Sequence, residues 1–159
     1  MKITASMLYS YTTCPHRVSL DLFGNPEERD ETSPFVELLW DRGHAFELET
    51  MESLGVPFLN LREYPIDERE GRTMGAMEEG VELIYGGRIS HGQLLGEPDL
   101  IRRTSSGYVP GDIKSGAGLE GASDESDGKP KKHYAVQLGL YSEILQAIGA
   151  ADSKAAFVW

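Results

Sequence analysis

The stretch Gly96 to Lys114, GEPDLIRRTSSGYVPGDIK, most restricts what this chain can fold into. Two short apolar runs flank a Ser-Ser-Gly turn, the pattern of a β-hairpin, yet each run carries an aspartate and the second ends in Asp-Ile-Lys. With Ser105-Ser106 as a two-residue turn, Thr104 faces Gly107. Counting outward then sets Asp99 opposite Asp112, both side chains on one face of the sheet, and Lys114, two residues on, shares that face. A one-residue slip would scatter the three, so the grouping depends on this register. Two carboxylates about 5 Å apart repel by roughly 3 kcal/mol at an effective dielectric near 20. That is large beside a domain stability of about 5–15 kcal/mol. A shared proton, a pairing cation or a bound metal must offset it. Mg2+ suits such a pair, since it takes one or two carboxylates and keeps several waters. Lys114 would then stabilise developing charge or orient an attacking water. Spacing alone slightly favours a plainer reading, a solvent-facing cluster in which Lys114 is only an ion-pair partner.

The remaining pattern alternates helices and strands. SMLYSYTTCPHRVSLDLFG predicts a helix, a kink at Pro15 and a second short helix. A charged loop, NPEERDETSP, leads to Ser33-Pro34, a helix start, and the helix runs from Phe35 to Leu54 with Gly55 ending it. VPFLNLREYP reads as a strand, RTMGAMEEGVELIYGG as a helix closed by Gly86-Gly87, and RISHGQLLG as a strand before the hairpin. Residues 115–130 are rich in Gly, Ser and Asp and read as a mobile loop. Beyond it, Tyr134, Leu138, Tyr141, Leu145 and Ile148 line one face of an amphipathic helix. KAAFVW reads as a strand with no polar tail, as expected of the N-terminal part of a longer protein. The expected fold class is α/β, a mixed sheet flanked by helices in one domain spanning 1–159.

Other polar residues fall where they could join the hairpin. His44 and Glu47 share a face of the Phe35–Leu54 helix. Gly43, one turn before Glu47, would allow a close approach there. The plain reading is an ordinary charged helix surface. Gln137 and Tyr141 lie one turn apart on the later helix, with Tyr141 on the core stripe and Gln137 at its border. Their polar tips could hold a phosphate, a water or Lys114.

These pieces, in this order, resemble the PD-(D/E)XK nuclease superfamily, in particular its RecB-like branch, which includes the small CRISPR-associated exonucleases and bacterial nuclease modules fused to further domains. The likeness runs through SMLYSYTTCPHRVSL, RGHAFE, AMEEGVELIYGG leading into GEPDLI, GDIKSG and QLGLY. It implies a restriction-endonuclease-like core whose active site sits on the hairpin. Asp99 would be the second-motif aspartate, and Asp112 and Lys114 the Asp-x-Lys pair. Both aspartates and the backbone carbonyl of Ile113 would bind Mg2+ or Mn2+. Gln137 and Tyr141 match a Gln-x-x-x-Tyr motif that helps place the DNA. Glu47 stands where many relatives carry a histidine ligand, with His44 one turn earlier; Glu47 is the favoured ligand of the two. Some relatives hold an iron–sulfur cluster with a cysteine in the N-terminal motif and three more near the C-terminus. Cys14 is the only cysteine here, so no cluster is expected within this chain unless further cysteines lie beyond it. A small buried residue beside Pro15 is the expected role of Cys14.

The implied activity is metal-dependent hydrolysis of DNA, exonuclease-like on single strands or ends. A net charge of −11 over 159 residues excludes a protein that coats nucleic acid by charge alone. Grip would come from the metal and from Arg17, Arg102, Arg103, Lys131 and Lys132. The alternatives are a non-catalytic module that binds nucleic acid or docks a partner domain, and a structural domain with a charged hairpin and no ligand. With one cysteine, a polar N-terminus and no long apolar run, the chain reads as cytoplasmic and free of membranes.

Overall fold

A computed structural model describes residues 1–115, 119–120, 129–151 and 155–159. A short strand β1 (Ile3–Thr4) leads into α1 (Ala5–Thr13), capped by the Thr4 hydroxyl, and α2 (Pro15–Phe23) follows directly. The break at Cys14 is extended backbone, as a residue before proline prefers. The charged loop contains a single 3-10 turn, Pro26–Glu28. Ser33 then caps α3 (Pro34–Ser53).

Downstream, three expected boundaries move. The strand expected across residues 56–65 shrinks to β2 (Leu59–Asn60), because the Asn60 side chain accepts the Arg62 N–H and turns the chain. The helix expected to close at Gly86-Gly87 is α4 (Ile66–Glu79), and it stops at Gly80, whose φ of 76° makes a left-handed cap. The apolar run after it is a buried central strand, β3 (Leu83–Tyr85); short apolar runs do not distinguish strand from helix by periodicity. The single strand expected across residues 88–96 is a hairpin instead, β4 (Ile89–His91) and β5 (Leu94–Gly96), turned at Gly92.

The predicted hairpin is β6 (Leu100–Arg103) paired with β7 (Tyr108–Asp112). Residues 116–118 and 121–128 of the expected loop lie outside the described residues, whereas β8 (Leu119–Glu120) pairs with β9 (Lys129–Pro130). Helix α5 (Lys132–Ala147) and strand β10 (Phe157–Val158) complete the fold.

The main sheet has the order β10-β7-β6-β3-β2, parallel at both edges and antiparallel in the middle; β1-β5-β4 form a second, smaller sheet. The chain is therefore an α/β protein with mixed sheets and flanking helices. Alternation along the strands divides the core in two. Leu83, Tyr85, Leu100 and Ile113 pack with Met51 of α3, while Ile84 and Ile101 pack with Leu140, Tyr141, Ile144 and Leu145 of α5. The α5 stripe is thus wider than its expected residues, with Leu140 and Ile144 buried as well. Pro110 is tolerated in β7 because its missing donor lies on the β10 side, between the Ala151 bridge and the Phe157 pairing. Strand β10 in turn ties down the end of β7: the Trp159 N–H donates to the Asp112 carbonyl and the Lys114 N–H to the Trp159 carbonyl.

Helix α3 is unusual in how little it buries. Phe35, Leu38, Leu39, Trp40 and Leu48 are all exposed, and only Thr50 and Met51 are buried. No helix is long and apolar enough to cross a membrane among the described residues.

Ile101 is fully buried where β6 meets the α5 side of the core. Ile101→Ala is expected to cost about 2–5 kcal/mol, read as a lower urea midpoint with unchanged slope.

Candidate active site

The hairpin register places the acidic pair. The pairs Arg103↔Tyr108 through Leu100↔Gly111, with Thr104 bonded to Gly107, set Asp99 opposite Asp112 one step further out. Both are buried, Asp99 at 7% and Asp112 at 0% exposure, so the solvent-facing reading of this cluster does not hold. Lys114 lies between them, its Nζ 3.3 Å from Asp112 Oδ2 and 3.5 Å from Asp99 Oδ2.

The two aspartates are satisfied very differently. Asp99 Oδ2 also accepts the Ile113 N–H at 3.0 Å, and Asp99 Oδ1 accepts from Arg62 at 2.9 Å. The two Asp112 oxygens are buried and make no well-aligned hydrogen bond among the described residues; the ammonium of Lys114 and the backbone of Asp99 are the donor groups that stand nearest. Burial, and then the Asp99 charge, push the Asp112 carboxyl up to about 6 against the opposing pull of Lys114. Burial alone would lower the pKa of Lys114, but Asp112 and Asp99 outweigh it and raise it. Ile113, the source of the N–H that Asp99 accepts, is the first residue past the end of β7.

Glu47 joins the cluster through a residue the sequence did not single out. One nitrogen of Arg62, Nη2, lies 3.0 Å from Glu47 Oε2 and 2.9 Å from Asp99 Oδ1, bridging α3 to the hairpin. The Tyr85 hydroxyl also donates to Glu47 Oε2 at 3.3 Å. Burial first and Asp99 second raise the Glu47 carboxyl above its ordinary range, against Arg62. His44 lines the same cleft, of about 250 Å3, but is exposed and makes no bond to the cluster among the described residues. The expected close approach at Gly43 is absent: no described atom comes within 4 Å of where its Cβ would stand. The close approach occurs instead at Gly86, where a Cβ would lie 2.4 Å from Arg62 Cγ.

On the opposite side, Gln137 Nε2 donates to the Tyr141 hydroxyl at 3.1 Å, which donates to the Glu97 carbonyl at 3.3 Å. The tyrosine reaches that carbonyl by lying across Gly96, where a Cβ would stand 2.6 Å from its ring. Among the described contacts, these two tips hold each other and the strand before Asp99 rather than Lys114. With Tyr9, Arg17 and Glu97 they line a cleft of about 430 Å3. Tyr134 stands near the hairpin, its ring 5.9 Å from Lys114 Nζ and 5.6 Å from Lys131 Nζ, and His133 links it edge-on to Tyr9.

The other expected cations divide. Arg17 borders the cleft; Arg102 lies over the Phe157 ring and Arg103 caps the Gly80 carbonyl, so those two serve the fold. Lys132 is exposed at the start of α5. Cys14 is exposed, not buried as expected, because the extended break between α1 and α2 turns its side chain outward.

Three carboxylates and two cations leave one net negative charge, concentrated on Asp112. The two buried Asp112 oxygens and the opposed Asp99 carboxylate are the donors that could hold a divalent cation here. Comparison with protein-family models, with curated proteins and with solved structures found no match.

Asp112 is a carboxyl whose folded-state pKa lies above its unfolded value, so its ionisation costs stability as pH rises from about 4 through 6 and the cost is full above that. Asp112→Asn is therefore expected to gain more stability at pH 7.5 than at pH 4.5, by on the order of 1–2 kcal/mol, in paired denaturant titrations.

Proposed function

We propose that the chain is a metal-dependent nuclease of the PD-(D/E)XK type, with a restriction-endonuclease-like core, that hydrolyses DNA phosphodiester bonds. The observation that carries this reading is the buried Asp99–Asp112–Lys114 cluster, in which the Asp112 oxygens have no well-aligned hydrogen-bond donor among the described residues and only the Lys114 ammonium as a close cation. A purely structural cluster would bear the cost of an unsatisfied buried carboxylate with nothing gained. A site that collects a cation and a phosphate explains it.

Asp99, Asp112, the Ile113 carbonyl and Glu47 are the residues that would hold Mg2+ or Mn2+, and His44 is the lesser candidate. When bound, such an ion lowers the pKa of a water and stabilises charge on the phosphate. Lys114, kept protonated by its two aspartates, presents its ammonium to the developing negative charge. Gln137 and Tyr141, bonded to each other and to the Glu97 carbonyl, fix one wall beside the hairpin. Tyr134 and Lys131 offer a ring and a positive charge next to Lys114, a combination suited to an unpaired base and its phosphate. Single strands or ends are accordingly the favoured substrate, cut in the manner of an exonuclease.

A second reading has its own observation. The exposed apolar side chains of α3, among which Phe35, Leu38 and Leu39 share one face, suit a module that docks a partner domain while retaining the nuclease fold. The two roles are compatible in one longer protein.

End-labelled single- and double-stranded DNA incubated with Mn2+, Mg2+ or EDTA tests the proposal. Cleavage is expected with metal alone, and Lys114→Ala is expected to slow it by about 10²–10³-fold. DNA left intact with either metal while calorimetry registers Mn2+ binding would favour the docking module; no binding at all would leave a structural hairpin.

A further inference from the structure

Arg62 already does part of what a metal would do. Its Nη2 joins Glu47 Oε2 and Asp99 Oδ1, carboxylate oxygens of two residues that would hold the cation. Asp99 Oδ2 is committed to the Ile113 N–H and to Lys114. The oxygen Arg62 occupies is thus the one through which Asp99 could reach an ion without giving up its tie to the hairpin.

The arginine is also built to leave. Its backbone is held independently of its head, its N–H by Asn60 Oδ1 at 3.0 Å and its carbonyl by Arg69 Nη2 at 3.1 Å. The head itself is incompletely satisfied, since Nε is buried without a partner among the described residues. About a third of the side chain is exposed (35%), and a cleft of about 250 Å3 bounded by His44, Glu47, Leu48 and Tyr85 lies beside it. The guanidinium lies over the Tyr85 ring, 5.4 Å from its centre, at the edge of that cleft. Charge points the same way: with a divalent ion added and Arg62 retained, three carboxylates face four positive charges. With Arg62 released, the sum is zero.

We propose that Arg62 is an internal counter-cation that holds Glu47 and Asp99 in the metal-free protein and trades places with the divalent ion. This rests on the metal-dependent reading. Arg62 is a positioning residue in this scheme: it keeps mutually repelling carboxylates assembled before the metal arrives, and it sets how much metal is needed to displace it. A second-layer role, in which Arg62 stays and orients Asp99 toward the metal, predicts the opposite response to its removal.

The test is calorimetric titration of the full chain with Mn2+ alone, for the wild type, Arg62→Gln and Arg62→Lys, with melting temperatures in EDTA and in Mn2+. Arg62→Gln is expected to bind Mn2+ about tenfold tighter while melting lower in EDTA, and so to gain more from the metal. Arg62→Lys, which keeps the charge on a single-point donor, is expected to bind tighter than wild type by a smaller factor. It gives the reading if the glutamine variant does not fold. Wild-type binding with equal or weaker binding in the variants would overturn the exchange and leave the metal site standing. Absence of Mn2+ binding in all three would overturn both.

Discussion

The arrangement depends on a carboxylate buried at the end of a central strand. Asp112 has no exposed surface, and neither oxygen makes a well-aligned hydrogen bond among the described residues. In a domain stabilised by about 5–15 kcal/mol, such a group must be compensated by what surrounds it. Here compensation is electrostatic and incomplete. Lys114 faces both aspartates, Arg62 screens Asp99 from Glu47, and one negative charge is left over. The neighbours are held with corresponding firmness: Ile113 bonds Asp99, and Tyr141 is seated across Gly96. A buried carboxylate left in this state singles out the end of β7 as the candidate site.

That mark is local, and the fold serves to keep it so. The α5 side of the sheet is densely apolar, with Ile84, Ile101, Ile144 and Leu145 fully buried beside the two aspartates' face. The α3 side is thinly covered, and α3 reaches the site mainly through the Glu47–Arg62–Asp99 bridge. One wall of the site is thus rigid by packing and the other is joined to it by an ion pair. Packed side chains have few alternatives, whereas ion pairs can be exchanged. The two walls therefore differ in how readily they can rearrange around an arriving ligand.

The sequence disclosed the hairpin more fully than its surroundings. The register followed from the Ser105-Ser106 turn, because turn length and strand alternation are local rules, and the facing of Asp99 and Asp112 came with it. The Ser33 cap and the α1–α2 break at Pro15 were legible for the same reason. Residues 81–85 were misread as helix because a short apolar run carries no period, and Gly80, the true stop, competed with Gly86-Gly87. Arg62 was invisible: its partners stand 15 and 37 residues away, and nothing in LNLREYP marks it. Charge bookkeeping offered the one hint, since three carboxylates with a single lysine call for a second cation. Exposure of Cys14 and the bare apolar face of α3 likewise depend on tertiary packing rather than local pattern.

The tie between β10 and the end of β7 has a consequence in time. The Asp112 carbonyl and the Lys114 amide are bonded to Trp159, 45 or more residues further along. On the ribosome, the hairpin emerges well before the strand that fastens it. Until residues 157–159 are free to dock, the nascent chain carries its acidic pair on an unfastened sheet edge. The end of β7 is therefore fastened only after residues 157–159 have been made, 45 or more residues behind the hairpin itself.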